Sequence, residues 1–436
     1  MIREEIPFPR PAFAWATVAV LFLAYILSFI DRMILGLLVE PIKADLGLSD
    51  TEISLLQGLA FALFYTIGGL PLGLLLDRSS RTRIAAAGVT VWSAATALCA
   101  TATGFWHLFV ARMVIGVGEA TLSPAAYSII ADSFPPRRLG LAMGVYGLGS
   151  SVGGGLAFIL GGAVVAFIAA AGAPTVPLLG ELRPWQAAFL VLGIPGLIVA
   201  VMLALLPEPA RRELPQANAS ASAADALAHI RKHRAVLLPV FAGAALVTLG
   251  LTGAVSWLPA MLMRVHGLDI APTGYLAGSA IIVGGLVGLV GGGVAGDWLG
   301  GRARARLLLC AATVAVSAIG GLLFPLAGSP ATVTAGFTLF VIGASMTVGI
   351  APTAVQQLTP GHLRATVSAC YILVVSLVGF ALGPTLVALI GDHVFPTRNG
   401  IAYALAIISP LSFIGAAIAF AIAGRAAKMD RETVRS

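Results

Sequence analysis

The sequence predicts an all-α polytopic membrane protein, with twelve transmembrane helices arranged as two pseudo-symmetric six-helix bundles. Three observations point there. Of the 436 residues 58% are hydrophobic and only 10% charged, against about 25% charged in soluble proteins. Apolar stretches of the length a hydrocarbon core demands, about 20 residues per helix, recur from end to end. The order of those stretches repeats once, six and six.

The stretches fall near 14–39, 52–76, 84–103, 106–131, 139–171, 185–206, 236–263, 273–296, 305–326, 331–357, 364–391 and 401–424. A bilayer forces backbone polar groups to pair internally, so each reads as a helix. The first is too long for a cleaved signal and no small-residue cleavage site follows it, so it is expected to remain as an anchor. Glycine is abundant, at 51 residues, and "GGLVGLVGGGVAGD" (284–297) puts small residues where helices must approach closely. Between the sixth and seventh stretches, "PEPARRELPQANASASAADALAHIRKHRA" (207–235) has linker composition and ends in a short basic amphipathic segment. The expected domains are therefore 1–206, a cytoplasmic linker at 207–235, and 236–436 with a cytoplasmic tail.

With the N-terminus inside, the inner segments hold 20 Lys and Arg and the outer ones four, while Arg32 and Arg112 lie within spans. This bias predicts an inner-membrane protein with both termini cytoplasmic. Orientation accounts for the net charge of +7, and nucleic acid is not expected as a partner. The Asn218–Ser220 glycosylation acceptor then falls on the wrong side. Cys99, Cys310 and Cys370 lie inside spans without paired spacing and predict neither disulfide nor metal site. His229 and His233 in "HIRKH" are four apart, but Arg231, Lys232 and Arg234 repel a cation. No phosphate loop occurs, the glycine runs sit in membrane helices, and no cofactor is expected.

The two halves share local sequence. "GLLLDRSSRTR" (73–83) parallels "GVAGDWLGGRAR" (293–304), with Gly73 to Gly293 and Asp77 to Asp297 both offset by 220. "FPPRRLGLAMGVY" (134–146) parallels "TPGHLRATVSACY" (359–371), with Pro135 to Pro360 and Tyr146 to Tyr371 offset by 225. Such repeats suit two bundles around a midplane site that is exposed alternately to either side.

These residues resemble the major facilitator superfamily. Gly73, Asp77, Arg78, Arg81 and Arg83 match its motif between helices two and three, with Ser80 where glycine is usual. "ARMVIGVGEA" (111–120) matches its helix-four motif through Arg112, Gly116 and Gly118. "GLGSSVGGG" (147–155) is similar to the helix-five antiporter motif but lacks its proline. "FIDR", "SDTEISLLQGLAFALFYTIGGLPLG" (49–73) and "GVGEATLSPAAYSIIADSFPP" (116–136) resemble the spinster branch more closely. The resemblance implies the major facilitator fold, helices one and four side by side at a central cavity, and relatives associated with sphingolipid or lysolipid export. It also implies a cytoplasmic gate of Gly73, Asp77, Arg78, Arg81 and Arg83, with Asp297, Arg302 and Arg304 in the other half. Positive-inside bias alone accounts for any one of those arginines, but not for Asp77.

Four ionisable residues lie well inside spans, Asp31 and Arg32 in the first and Arg112 and Glu119 in the fourth. Each costs about 2.5–3.5 kcal/mol at mid-helix on insertion scales, so pairing or a watery cavity is expected. Arg112 and Glu119, seven apart, share a helix face about 10.5 Å apart along its axis. With helices one and four adjacent, Asp31 pairs with Arg112, and Glu119 lies nearer Arg32 or substrate. No histidine is mid-span, so proton coupling falls to Asp31, Glu119 or both, the alternative being a static ion-pair cluster. Ser28 and Gly116 line the cavity from the first half. Thr248, Thr252, Ser256, Ser345, Met346 and Gln356 line it from the second, with no charge among them. A cavity charged on one side and weakly polar on the other fits an amphipathic substrate.

The expected function is proton-coupled export of an amphipathic lipid or drug-like compound by alternating access, in a monomer. Import of a small organic anion clamped by Arg32 or Arg112 is the alternative within the fold. A non-transporting receptor or an intramembrane enzyme is the alternative outside it; the enzyme needs a convergent nucleophile and base, and with neither mid-span His nor clustered thiols a carboxylate-based mechanism is what stays open to it.

Overall fold

The computed structural model describes residues 8–172, 174–177, 180–212, 223–300 and 302–433, apart from the side chains at positions 70, 77, 223, 362, 365 and 428–433. The Asn218–Ser220 acceptor lies outside these residues. In chain order the helices are α1 (Pro11–Leu37), α2 (Val39–Leu46), α3 (Asp50–Gln57), α4 (Leu59–Arg78), α5 (Arg81–Leu98), α6 (Phe105–Glu119), α7 (Leu122–Ser133) and α8 (Pro136–Ala171). A two-residue hairpin of β1 (Thr175–Val176) and β2 (Gly180–Glu181) precedes α9 (Pro184–Leu205). Then follow α10 (Ala223–Lys232), α11 (Arg234–His266), α12 (Ile270–Trp298), α13 (Ala303–Leu326) and α14 (Pro330–Gln357). The chain closes with α15 (Arg364–Val375), α16 (Leu382–His393) and α17 (Gly400–Thr433).

Among the described residues twelve helical stretches are long and apolar enough to cross a membrane, and each coincides with an apolar stretch read from the sequence. Local chemistry sets their ends. Pro11, Pro136, Pro184 and Pro330 each open a helix, at the position where a missing N–H costs nothing. Ser49 and Glu52 form a reciprocal capping box at the start of α3. Two spans are not continuous. The fourth is broken at Ala120–Thr121 between α6 and α7, where Pro124 has no N–H to offer the Ala120 carbonyl. The eleventh has a π-helical turn at Ser376–Ala381 between α15 and α16.

The chain divides into two compact units, Met1–Leu48 with Ala60–Gln216, and Ser49–Leu59 with Ala217–Ser436. In the first unit α1 packs on α8 and α5 on α9. A Cβ at Gly153 would come within 2.6 Å of the Ile26 carbonyl oxygen, so α1 and α8 meet backbone to backbone. The Trp185 indole donates to Asp45 Oδ2 at 2.9 Å, and Arg183 pairs with the same carboxylate, which ties the start of α9 to α2. In the second unit Gly284, Gly288 and Gly292, every fourth residue of α12, lie against Val341, Ile342 and Met346 of α14. Phe324, Phe337, Phe340 and Phe413 fill the space between α13, α14 and α17. The second unit also incorporates α3. Arg264 of α11 binds Asp50 through two bonds of 2.5 and 2.7 Å, and Asp392 of α16 accepts from the Thr51 N–H and hydroxyl at 2.9 and 2.8 Å.

Candidate site in the first unit

Tyr25, Ser28, Phe29 and Arg32 recur at helical spacing and so share one face of α1. That face meets α6 where two glycines let α6 sink into its neighbours. A Cβ at Gly116 would lie 2.6 Å from the Phe61 carbonyl oxygen of α4, and one at Gly118 would lie 2.9 Å from the Gly88 carbonyl oxygen of α5. Glu119, the last residue of α6 before the break, is thereby held against α1.

Glu119 Oε2 accepts three bonds, from Ser28 Oγ at 2.6 Å and from Arg32 Nη2 and Nε at 2.5 and 3.0 Å. Arg32 Nη2 also reaches Ser28 Oγ at 3.3 Å. The Glu119 side chain is fully buried and that of Arg32 is 11% exposed. The second carboxylate oxygen, Oε1, is buried and has no hydrogen-bond partner among the described residues. Arg112 donates to the main-chain carbonyls of Asp31 and Arg32 at 2.9 and 3.4 Å, tying α6 to α1 one turn or more above Glu119. The buried Asp31 carboxylate has Thr96, Arg112 and Arg32 for neighbours. The four intramembrane charges thus form one cluster.

An aromatic ring surrounds it. The Arg32 guanidinium lies 4.8 Å from the Phe29 ring centroid, 4.6 Å from Phe61 and 5.3 Å from Tyr65, within the range of cation–π attraction. Tyr25 continues this wall, stacked on Tyr146 at 4.5 Å. The sequence reading did not name these rings. Their signal was the spacing, Tyr25 and Phe29 on the face of Arg32, and Phe61 and Tyr65 four apart.

The residues named in the second half sit differently. On α11 the Thr248 hydroxyl bonds the Ala244 carbonyl, and the Thr252 hydroxyl bonds Gly379 O of the π-helical turn at 2.8 Å. The main-chain carbonyl of Ser256 accepts from Gln57 Nε2 at 3.4 Å. Ser345 is buried where α14 meets Gly288, Met346 packs by its backbone on Gly292, and Gln356 is exposed.

At the motif loop Gly73 and Arg78 lie near the end of α4, and Arg78 and Arg83 are exposed. Asp77 is in the last turn of α4, and its side chain lies outside the described residues. Ser80, in the usual glycine position, caps α5 by accepting from the Arg83 N–H. Arg81 is buried and joins four groups of its own unit: Asp132, Ser128 Oγ at 2.7 Å, Glu208 Oε1 at 2.6 Å and the Pro209 carbonyl at 2.8 Å. Arg211 donates to the carbonyls of Leu76 and Ser79 at 2.6 and 2.7 Å. Burial works to raise the Glu208 carboxyl, but bonds from the Thr82 N–H, Arg81 and Ser80 outweigh it and hold it below its ordinary value. In the second half Asp297, Arg302 and Arg304 are all exposed, and the buried arginine is Arg306, bound to the Gly296 carbonyl at 3.0 and 3.2 Å.

Two helical units, twelve membrane-crossing stretches and a buried charge cluster define a multi-pass membrane protein of the transporter class. The chain belongs to the Major Facilitator Superfamily, whose family model matches residues 21–384. It is 28% identical over 386 residues to an MFS-type efflux pump of Mycolicibacterium smegmatis, covering 88% of this chain and 85% of that one. It is 27% identical over 342 residues to a probable L-galactonate transporter of Escherichia coli, covering 74% and 71%. It is 29% identical over 405 residues to human protein spinster homolog 1, covering 86% and 72%. Among solved structures it is similar to a bacterial homolog of the human lysosomal transporter spinster in an inward-facing, unoccupied conformation, with a TM-score of 0.77 at 24% identity over 96% of this chain and 98% of that one.

Proposed function

We propose that the protein is a proton-coupled transporter of the cell inner membrane that exports an amphipathic lipid or drug-like compound, acts as a monomer, and keeps both termini in the cytoplasm. The observation that carries this reading is the state of Glu119. One carboxylate oxygen is saturated by Arg32 and Ser28 while the other is buried without a partner among the described residues, and a buried acceptor left unpaired is costly until something donates to it. A proton on Oε1 neutralises the buried carboxylate and removes the charge that holds Arg32. Arg32 is then released to the head group of a substrate whose apolar part lies along Phe29, Phe61 and Tyr65. Asp31, next to Arg112, is the second candidate carrier. The cytoplasmic gate falls to Asp77 and Arg78 at the end of α4 and to Asp297, Arg302 and Arg304 in the second half. The efflux-pump relative supports export, and the L-galactonate relative supports an organic anion as substrate, which is the substrate of the rival reading, import by the same arginines.

The deciding experiment is proton flux in sealed vesicles holding purified protein, challenged with lysolipids, sphingoid lipids, cationic dyes and sugar acids. Substrate-dependent proton movement that is lost in Glu119→Gln or Asp31→Asn is the expected result. Substrate movement without proton flux sinks the coupling mechanism. Response to sugar acids alone transfers the site to the anion reading.

A further inference from the structure

The face of the first unit between α5 and α9 carries a groove unrelated to the charge cluster. The helices touch backbone to backbone at their crossing, where a Cβ at Gly193 would lie 2.9 Å from both Ala97 N and Ser93 O. Toward Arg81 and Leu205 they leave a groove of about 430 Å³. Its walls are Ala86 and Ala87 on α5 and Leu197, Ala200, Val201 and Ala204 on α9, with Arg83 at the mouth. Arg83, Ala86 and Thr90 on α5, like Leu197, Ala200 and Ala204 on α9, follow the three-and-four spacing of one helix face.

Depth and chemistry agree on an occupant. Arg83 is two residues from the end of α5, near the end of its span. Leu197 is eight residues from the end of α9, so at 1.5 Å per residue it lies about 9 Å deeper than Arg83, more than half of one hydrocarbon leaflet of about 15 Å. The alanines leave the width of an acyl chain where larger residues would fill it. Thr90, also on the wall, spends its hydroxyl on the Ala86 carbonyl at 2.9 Å, so the floor offers no free donor. The exposed Arg83 guanidinium makes no hydrogen bond or ion pair with a described residue, whereas Arg81, two positions earlier, takes the carboxylates of Asp132 and Glu208. A cation with no carboxylate partner among the described residues, near the end of its span over an apolar channel, is complementary to a phosphodiester with a chain attached. We propose that this groove holds an anionic phospholipid of the leaflet adjoining the Arg78–Arg83 loop, its phosphate on Arg83 and one acyl chain along the alanine floor.

Native mass spectrometry of the full chain tests this, after incubation in detergent with equimolar phosphatidylglycerol and phosphatidylcholine. Wild type retains phosphatidylglycerol in preference. Arg83→Gln lowers that preference about fivefold, and Arg83→Lys keeps most of it. Ala204→Leu, which fills the groove from a lipid-facing position, lowers retention of both lipids, and Ala87→Leu replaces it if the first variant does not fold. An undiminished preference in Arg83→Gln overturns the head-group assignment. Undiminished retention in the filled groove overturns the chain assignment, and displacement of the lipid by inorganic phosphate makes this an anion site only.

Discussion

The behaviour of the candidate site turns on which atoms of adjacent residues face which neighbour. Asp31 and Arg32 were legible as an intramembrane pair of charges, because nothing else charged falls within the first span. Their partners were harder to read, since successive residues on a helix point about 100° apart and only packing decides which one meets α6. The aromatic ring escaped notice because rings are ordinary in a membrane helix until a cation is seen among them. Arg32→Lys keeps the charge but loses the planar fork on Glu119 and the stacking on Phe29 and Phe61. Transport rates in vesicles are expected to fall about tenfold, matching loss of a cation–π contribution of about 1–2 kcal/mol, with the protein still monodisperse. Glu208 gives a pH prediction. Its folded-state pKa lies below the ordinary carboxyl value, so its stabilising contribution is present above that ordinary value and is lost as pH falls through the lowered one. Wild type should therefore melt above Glu208→Gln at neutral pH, and the gap should close in acid.

Glycine faces and interruptions, more than hydropathy, decide how the helices are placed. The spans could be read from the sequence because a bilayer demands apolar length, and small-residue spacing announced the α12–α14 crossing. The break in the fourth span was not read, although Pro124 marks it, because the apolar run continues through it unchanged. Partners such as Asp132 and Glu208 for Arg81 were illegible, being brought in from helix ends 51 and 127 residues away. Gly116 is where this level of organisation can be probed. Gly116→Val pushes a side chain into the Phe61 carbonyl, and overpacking of this kind costs about 1–3 kcal/mol. Because the same step shifts Glu119, activity should fall further than stability does. Gly144→Val, at a position with open space around it, is expected to leave the melting temperature close to wild type.

Across the whole molecule the repeat is preserved in architecture and broken in chemistry. Arg81 and Arg306 are the buried arginines near the starts of α5 and α13, yet Arg81 is held by two carboxylates and Arg306 by a main-chain carbonyl. Arg81→Ala removes the cation that Asp132 and Glu208 share, while Arg212 and Thr82 still donate to them, and should cost about 2–3 kcal/mol. Arg306→Ala forfeits hydrogen bonds only and should cost about 1–2 kcal/mol. Chemical-denaturation midpoints of the two variants check the order. The division of the chain has one more consequence. Residues 49–59 precede the linker in sequence but complete the second compact unit, fastened there by Arg264 and Asp392. The C-terminal product of a cut at 213–222 would lack part of its own unit, because the N-terminal fragment carries residues 49–59 of it. Expressed as a split protein from two genes, the fragments should find each other and co-purify, the short donated helix acting as the tenon of a joint.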